Sequence, residues 1–236
     1  MKNQYFGDRR DLFKYDLAMW VIKEVDCLGS FVFVPMLTEN DNRSDGQKTE
    51  YPESKPGGRN GELRAFLGEC VRQGRRRIAE IRPYFSEHKI PMTIFKENEY
   101  FINRTRGDYF SSLKEEIRPG SLILLDPDNG LEVKSKSNKH LLFAEVRDIY
   151  SQMDEGSVLM IYQHFTRQKH EEYLEWRAGQ LSSLSGTRPL HVTDNEIIFF
   201  FVCKDSDVRE GLKEAIGAYK EQYPLIDPNS PHKEGA

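Results

Sequence analysis

SLILLDPDNGLEVK, residues 121–134, decides how this chain is read. Four apolar residues, Leu122, Ile123, Leu124 and Leu125, run straight into Asp126, Pro127, Asp128, Asn129 and Gly130. A short apolar run bounded by turn residues reads as a strand buried on both faces, as in a parallel sheet. The polar cluster after it then lies beyond the strand's carboxyl end, which is where open α/β sheets bind ligands. Two carboxylates, an amide and a glycine there suit a small molecule, a metal or an amino group. The plain alternative is an Asp/Asn/Gly turn.

Outward from this stretch, strand-like runs alternate with helical ones. Residues 30–36 (SFVFVPM), 91–95, 157–163 (SVLMIYQ) and 196–203 (EIIFFFVC) read as strands. Residues 11–25, 62–73, 75–88, 107–117, 141–153, 168–181 and 207–223 read as helices, with Asp205 or Asp207 placed to cap the last one. Such alternation implies one α/β domain over residues 1–224, with a Rossmann-like, mostly parallel sheet flanked by helices. Residues 37–60 lose periodicity and form a long loop. Residues 225–236 are expected to be a flexible tail.

Composition narrows the function classes. A chain of 236 residues with 38% apolar content can bury one sizeable core. The formal net charge of −4 gives no global basic field, so nucleic acid would have to meet a local patch. Arg72, Arg75, Arg76, Arg77 and Arg82 supply one, with Arg72 and Arg76 on one helical face as substrate contacts. A solvated helix face is the other reading. Cys27, Cys70 and Cys203 are far apart and lack metal spacing, as expected of reduced thiols in a cytoplasmic protein. No run approaches a membrane span, and residues 1–16 lack a signal-like apolar core. The oligomeric state is not legible.

Three further clusters qualify as site candidates. Tyr5, Gly7, Asp8, Asp11 and Lys14 make a polar rim at the start of the first helix; a capped helix with a surface ion pair is the alternative. Thr38, Glu39, Asp41 and Asp45 supply oxygens in the loop after the first strand, a primary ligand loop in doubly wound folds. That loop has neither GxGxxG nor a lysine-bearing phosphate loop. Gln163, His164 and Arg167 follow the 157–163 strand, so His164 is expected to face Asp126 across one crevice.

GDRRDLFKY, residues 7–15, resembles the Gly-Asn-x-x-Asp-Val-Leu-Lys-His segment of ribosomal RNA adenine methyltransferases. The loop Asp126-Pro127-Asp128-Asn129 resembles that family's Asp-Pro-Pro-Tyr loop, with Asp128 and Asn129 in place of Pro and Tyr. The resemblance implies a methyltransferase-type fold and a function as an S-adenosylmethionine-dependent methyltransferase, or a degenerate relative, acting on nucleic acid or a small amine. It implies that Tyr5, Gly7, Asp8, Asp11, Lys14, Thr38, Glu39 and Asp41 hold the cofactor. Asp126, Pro127, Asp128, Asn129 and His164 would form the catalytic site, with Gln163 and Arg167 beside the substrate. The wider set YFGD, MLT, DPDNG and YQHF resembles a group of bacterial and phage-associated proteins, which brings no chemistry with it. Two other classes stay open. Glu-Val-Lys after Pro-Asp resembles a Mg²⁺-dependent nuclease pattern that would use Asp126, Asp128 and Glu132, assisted by Lys134. A non-catalytic protein would bind a nucleotide or a partner in the same crevice.

Overall fold

The computed structural model describes residues 1–42 and 46–223. The expected tail from 225 and the loop residue Asp45 lie outside them. Eight strands are assigned: β1 (Ser30–Val34), β2 (Met92–Ile94), β3 (Ser121–Leu125), β4 (Gly130–Leu131), β5 (His140–Leu141), β6 (Val158–His164), β7 (Leu190–Thr193) and β8 (Ile197–Cys203). The helices are α1 (Arg9–Glu24), α2 (Gly61–Arg72), α3 (Arg82–Glu87), α4 (Arg106–Leu113), α5 (Phe143–Gln152), α6 (His170–Ser185) and α7 (Ser206–Gln222). No described helix is long and apolar enough to cross a membrane.

Six strands form one sheet in the order β2-β1-β3-β6-β8-β7. Strands β2, β1, β3 and β6 are mutually parallel, with Leu122 opposite Val158 and Phe33 opposite Leu124. Successive side chains of a strand point to opposite faces, so each central strand feeds two cores. Phe31, Phe33, Leu122, Leu124, Met160, Phe199 and Phe201 pack under α1, α2, α3 and α7. Val32, Val34, Ile123, Leu125, Ile161, Phe200 and Val202 pack under α4, α5 and α6. This two-sided burial explains why the strands read as unbroken apolar runs.

Three details differ from the sequence expectation. β7 carries no strong apolar run, yet it forms a hairpin with β8, which lies antiparallel between β6 and β7. The turn of that hairpin places Asn195 at φ +72, a region that asparagine tolerates better than most residues. Residues 75–88 are not one helix. The left-handed Gly74 ends α2, and a 3₁₀ turn (Ile78–Ile81) precedes the short α3. Arg72 and Arg76 therefore do not share a helical face. Residues 130–141 carry the small parallel pair β4–β5, which delays α5 to Phe143.

Chain direction locates the site. The connection from β1 to β2 runs through α2 and α3 on one face. The connection from β2 to β3 runs through α4 on the other. The carboxyl ends of β1 and β3 thus flank the point where strand order reverses, the crevice at which doubly wound sheets bind ligands.

Phe199 reports on the first core layer, with its ring edge-on to Phe13 at 5.1 Å and 5.6 Å from Tyr162. Truncation by Phe199→Ala is expected to cost about 3–5 kcal/mol, read as a lower urea midpoint at unchanged slope.

Candidate functional site

Helix α1 begins at Asp8, whose carboxylate accepts from the backbone N–H groups of Arg10 and Asp11, both at 2.9 Å. This N-cap turns Asp11 and Lys14, one helical turn apart, toward the ends of β1 and β3. Lys14 Nζ lies 2.6 Å from Asp11 Oδ1 and 2.7 Å from Asp126 Oδ2. All three side chains are buried. The rings of Tyr15 and Phe33 lie 5.5 Å from the ammonium and that of Tyr162 lies 5.8 Å away, close enough for cation–π attraction. The expected surface ion pair is thus a buried triad.

Burial pulls the Lys14 pKa down, but Asp11 and Asp126 outweigh it, so the ammonium titrates well above its ordinary value. Burial raises Asp11 from 3.8 to about 7, opposed by Lys14 and reinforced by Asp8. Asp8 is also raised, again by burial first. His164 is lowered from 6.5 to about 4 by burial and by Arg10, with Asp128 opposing. Its imidazole is therefore neutral near pH 7. The Tyr162 hydroxyl, 2.7 Å from His164 Nε2, is held protonated by burial and donates to that nitrogen. Nδ1 then carries the proton, an assignment that follows from the network.

Residues 1–4 run across the end of β1. The Met1 nitrogen donates to Met36 O at 3.3 Å and to Asp126 O at 3.5 Å, and lies 3.9 Å from Asp128 Oδ1. Thr38 donates to Met1 O from both its backbone N–H, at 2.7 Å, and its hydroxyl, at 3.2 Å. Asp41 pairs with Lys2 and accepts from Gln4. Thr38 and Asp41 thus serve to fasten residues 1–4, while Glu39 is exposed.

The space in front of the triad is a narrow crevice of about 30 Å³, lined by Met1, Tyr5, Asp8, Arg10, Asp11, Lys14, Asp126, Pro127, Asp128, Tyr162 and His164. Asp126 and His164 do face one crevice, because β3 and β6 are parallel neighbours. It opens onto a basin of about 480 Å³ that shares Tyr5, Arg10, Asp128 and His164 and adds Asn129, Lys139, His140, Phe165 and Thr166. Lys139 lies 3.4 Å from Asp128.

Other expected site residues have structural roles. Gly7 donates its N–H to Asp11 at 3.2 Å and accepts from the Tyr51 hydroxyl. The Gln163 amide is buried, accepting from Leu131 N at 2.7 Å and donating to Tyr173 at 2.8 Å. It leaves no room for a side chain at Gly130, whose Cβ would fall 2.4 Å from Gln163 Nε2. Arg76 donates to Phe6 O and Gly46 O, Arg72 pairs with Glu69 on the surface, and neither lines the crevice or basin. Arg167 is exposed and lines neither space. Asp126, Asp128 and Glu132 do not converge: Asp126 meets Lys14, Asp128 meets Lys139, and Glu132 accepts from Phe143 N at 2.9 Å and pairs with Lys136. Among the described residues no group of three His, Cys, Asp or Glu side chains could hold a metal ion.

Sequence reasoning missed Arg10, Tyr162, Lys139 and Arg177. Arg177 is fully buried and donates to Leu131 O, Glu132 O and the Tyr173 hydroxyl, so it props the β4 ledge under the basin. A single arginine inside the apolar phase of α6 was its only signal. Compared with family models, curated proteins and solved structures, the chain matches none.

Two outcomes follow from the triad. Lys14→Met strands two buried carboxylates and is expected to cost about 3–5 kcal/mol. Urea denaturation should show part of that loss recovered in Lys14→Met/Asp126→Asn. Because folding raises the Asp11 pKa, its contribution is fully present below about pH 4 and fades as pH rises through about 7. Thermal midpoints measured from pH 4 to 8 should decline less in Asp11→Asn than in the wild type.

Proposed function

We propose that this chain is a degenerate relative of the methyltransferase type, a binding protein that holds the amino group of a nucleotide at the β1/β3 switch point. The observation that carries this reading is the polarity of the crevice. Its inner end presents Asp8, Asp128 and the loop carbonyl of Asp126, and the carbonyls of Asp126 and Met36 together with the Asp128 carboxylate already surround one amino nitrogen, that of Met1. Its open end presents Arg10 and Lys139 beside the rings of Tyr5 and Phe165. The acceptor end has room for an amino group, the side chains of Tyr5 and Phe165 in the basin suit the aromatic ring that carries it, and a phosphate suits the cations.

The end of β1 offers little to the cofactor that the resemblance implies, S-adenosylmethionine. The turn there has no glycine to let a ligand approach the backbone. Met1, Met36, Leu37 and Thr38 fill it with buried side chains. Asp126, the residue that would meet the acceptor amine, is already engaged by Lys14. Binding needs neither the cofactor nor a proton-transfer group, and a neutral His164 is suited to hydrogen bonding rather than to charge.

Titration calorimetry with the nucleoside monophosphates of adenine, cytosine and uracil tests the reading. A site that hydrogen-bonds an amino group leaves its acceptors unpaired when that group is missing. The adenine or cytosine nucleotide should bind at least tenfold more tightly than the uracil nucleotide, and Asp128→Asn should remove that preference. Equal binding of all three, or none, would refute the amino-group site. Heat with S-adenosylhomocysteine would favour a cofactor-binding methyltransferase over this reading.

A further inference from the structure

The far edge of the sheet carries a feature that the crevice does not use. Among the described residues β7 is the outermost strand and pairs with β8 alone. In an antiparallel edge strand, alternate residues turn their N–H and C=O outward, an open template for a further strand. Helix α7 lies against β7 and β8 on the face of the first core layer. Along it, Arg209, Lys213, Ile216 and Lys220 follow at spacings of four, three and four, which puts them on one stripe. The acids of the helix, Asp207, Glu210, Glu214 and Glu221, cluster about a third of a turn away.

Between the stripe and the edge strand runs a groove of about 340 Å³. Its floor is Pro189, Leu190 and Ile216, and its walls carry Arg188, Arg209, Lys213 and Lys220, with no carboxylate in the lining. Nearby acids only partly offset this. Glu210 lies 2.9 Å from Lys213, and Glu175 pairs with Arg188, both pairs being exposed. Exposed pairs of this kind contribute little and yield readily to another anion. The Arg209 guanidinium donates to Arg188 O, and its Nη1 is buried without a hydrogen-bond partner. A cationic groove thus lies beside an open sheet edge in a chain whose net charge is −4.

We propose that this groove receives an extended acidic segment of a partner protein, added to the sheet as a strand beside β7. The open edge would supply main-chain hydrogen bonds, the apolar floor would take alternate side chains, and the cations would face the acids between them. A single-stranded nucleic acid suits the groove less well. Apart from the imidazole of His191, the lining offers no ring for base stacking, on which such binding depends.

Fluorescence anisotropy on the full chain tests this with a fluorescein-labelled peptide of alternating glutamate and valine. The comparison probes are the lysine–valine counterpart, a backbone N-methylated glutamate–valine peptide and oligothymidylate. The acidic peptide should bind in the micromolar range. Affinity should fall at least tenfold in Lys213→Glu/Lys220→Glu, with the far-ultraviolet circular dichroism unchanged. N-methylation of alternate amides should abolish binding if a strand is added. No binding by the acidic peptide, equal binding by its N-methylated form, or binding of oligothymidylate in its place would overturn the proposal.

Discussion

The ammonium of Lys14, set between the carboxylates of Asp11 and Asp126, joins the first helix to the end of the central strand. Two carboxylates buried without a cation would impose a desolvation cost of several kcal/mol each. The triad therefore fixes the position of α1 along the sheet, where an apolar contact alone would let the helix slide. Its charges are also consumed by one another. Asp126 emerges from β3 already partnered by Lys14, while its carbonyl and the Asp128 carboxylate face the Met1 nitrogen.

Around that anchor, polar groups pin the walls of the crevice. Residues 1–4 are tied down by Thr38 and Asp41, and the turn at Gly7 is tied by Asp11 and Tyr51. At the basin, Gln163 and Arg177 hold the β4 ledge through backbone carbonyls and N–H groups. The crevice is consequently bounded by residues whose hydrogen bonds are satisfied within the protein. Such preorganisation favours binding, because little ordering remains to be done when a ligand enters.

The two candidate sites differ in kind. The switch point is a narrow crevice that mixes carboxylates with cations and widens into a basin. The β7 edge is open and cationic, with an apolar floor. A narrow polar crevice selects a small molecule by its hydrogen bonds, whereas an open edge selects a chain by its backbone. Their separation by the width of β6 and β8 lets both features exist without sharing a residue.

The sequence by itself determined the layers and the location of the crevice. A strand buried on both faces is apolar almost throughout, so 122–125, 157–163 and 196–203 were legible as core strands, and alternation with helices implied a mainly parallel sheet. Asp126 and His164 were placed at one sheet edge because each follows such a strand. Only the tertiary structure decided what those polar residues do. Periodicity shows that Lys14 and Asp11 share a helical turn, but not that Asp126 meets them from more than a hundred residues away. It put Arg72 and Arg76 together, whereas the break at Gly74 and two backbone carbonyls drew Arg76 elsewhere. β7 was illegible because a half-exposed edge strand needs no apolar run, and Arg177 because a buried cation satisfied by backbone carbonyls leaves no acid in the sequence to betray it.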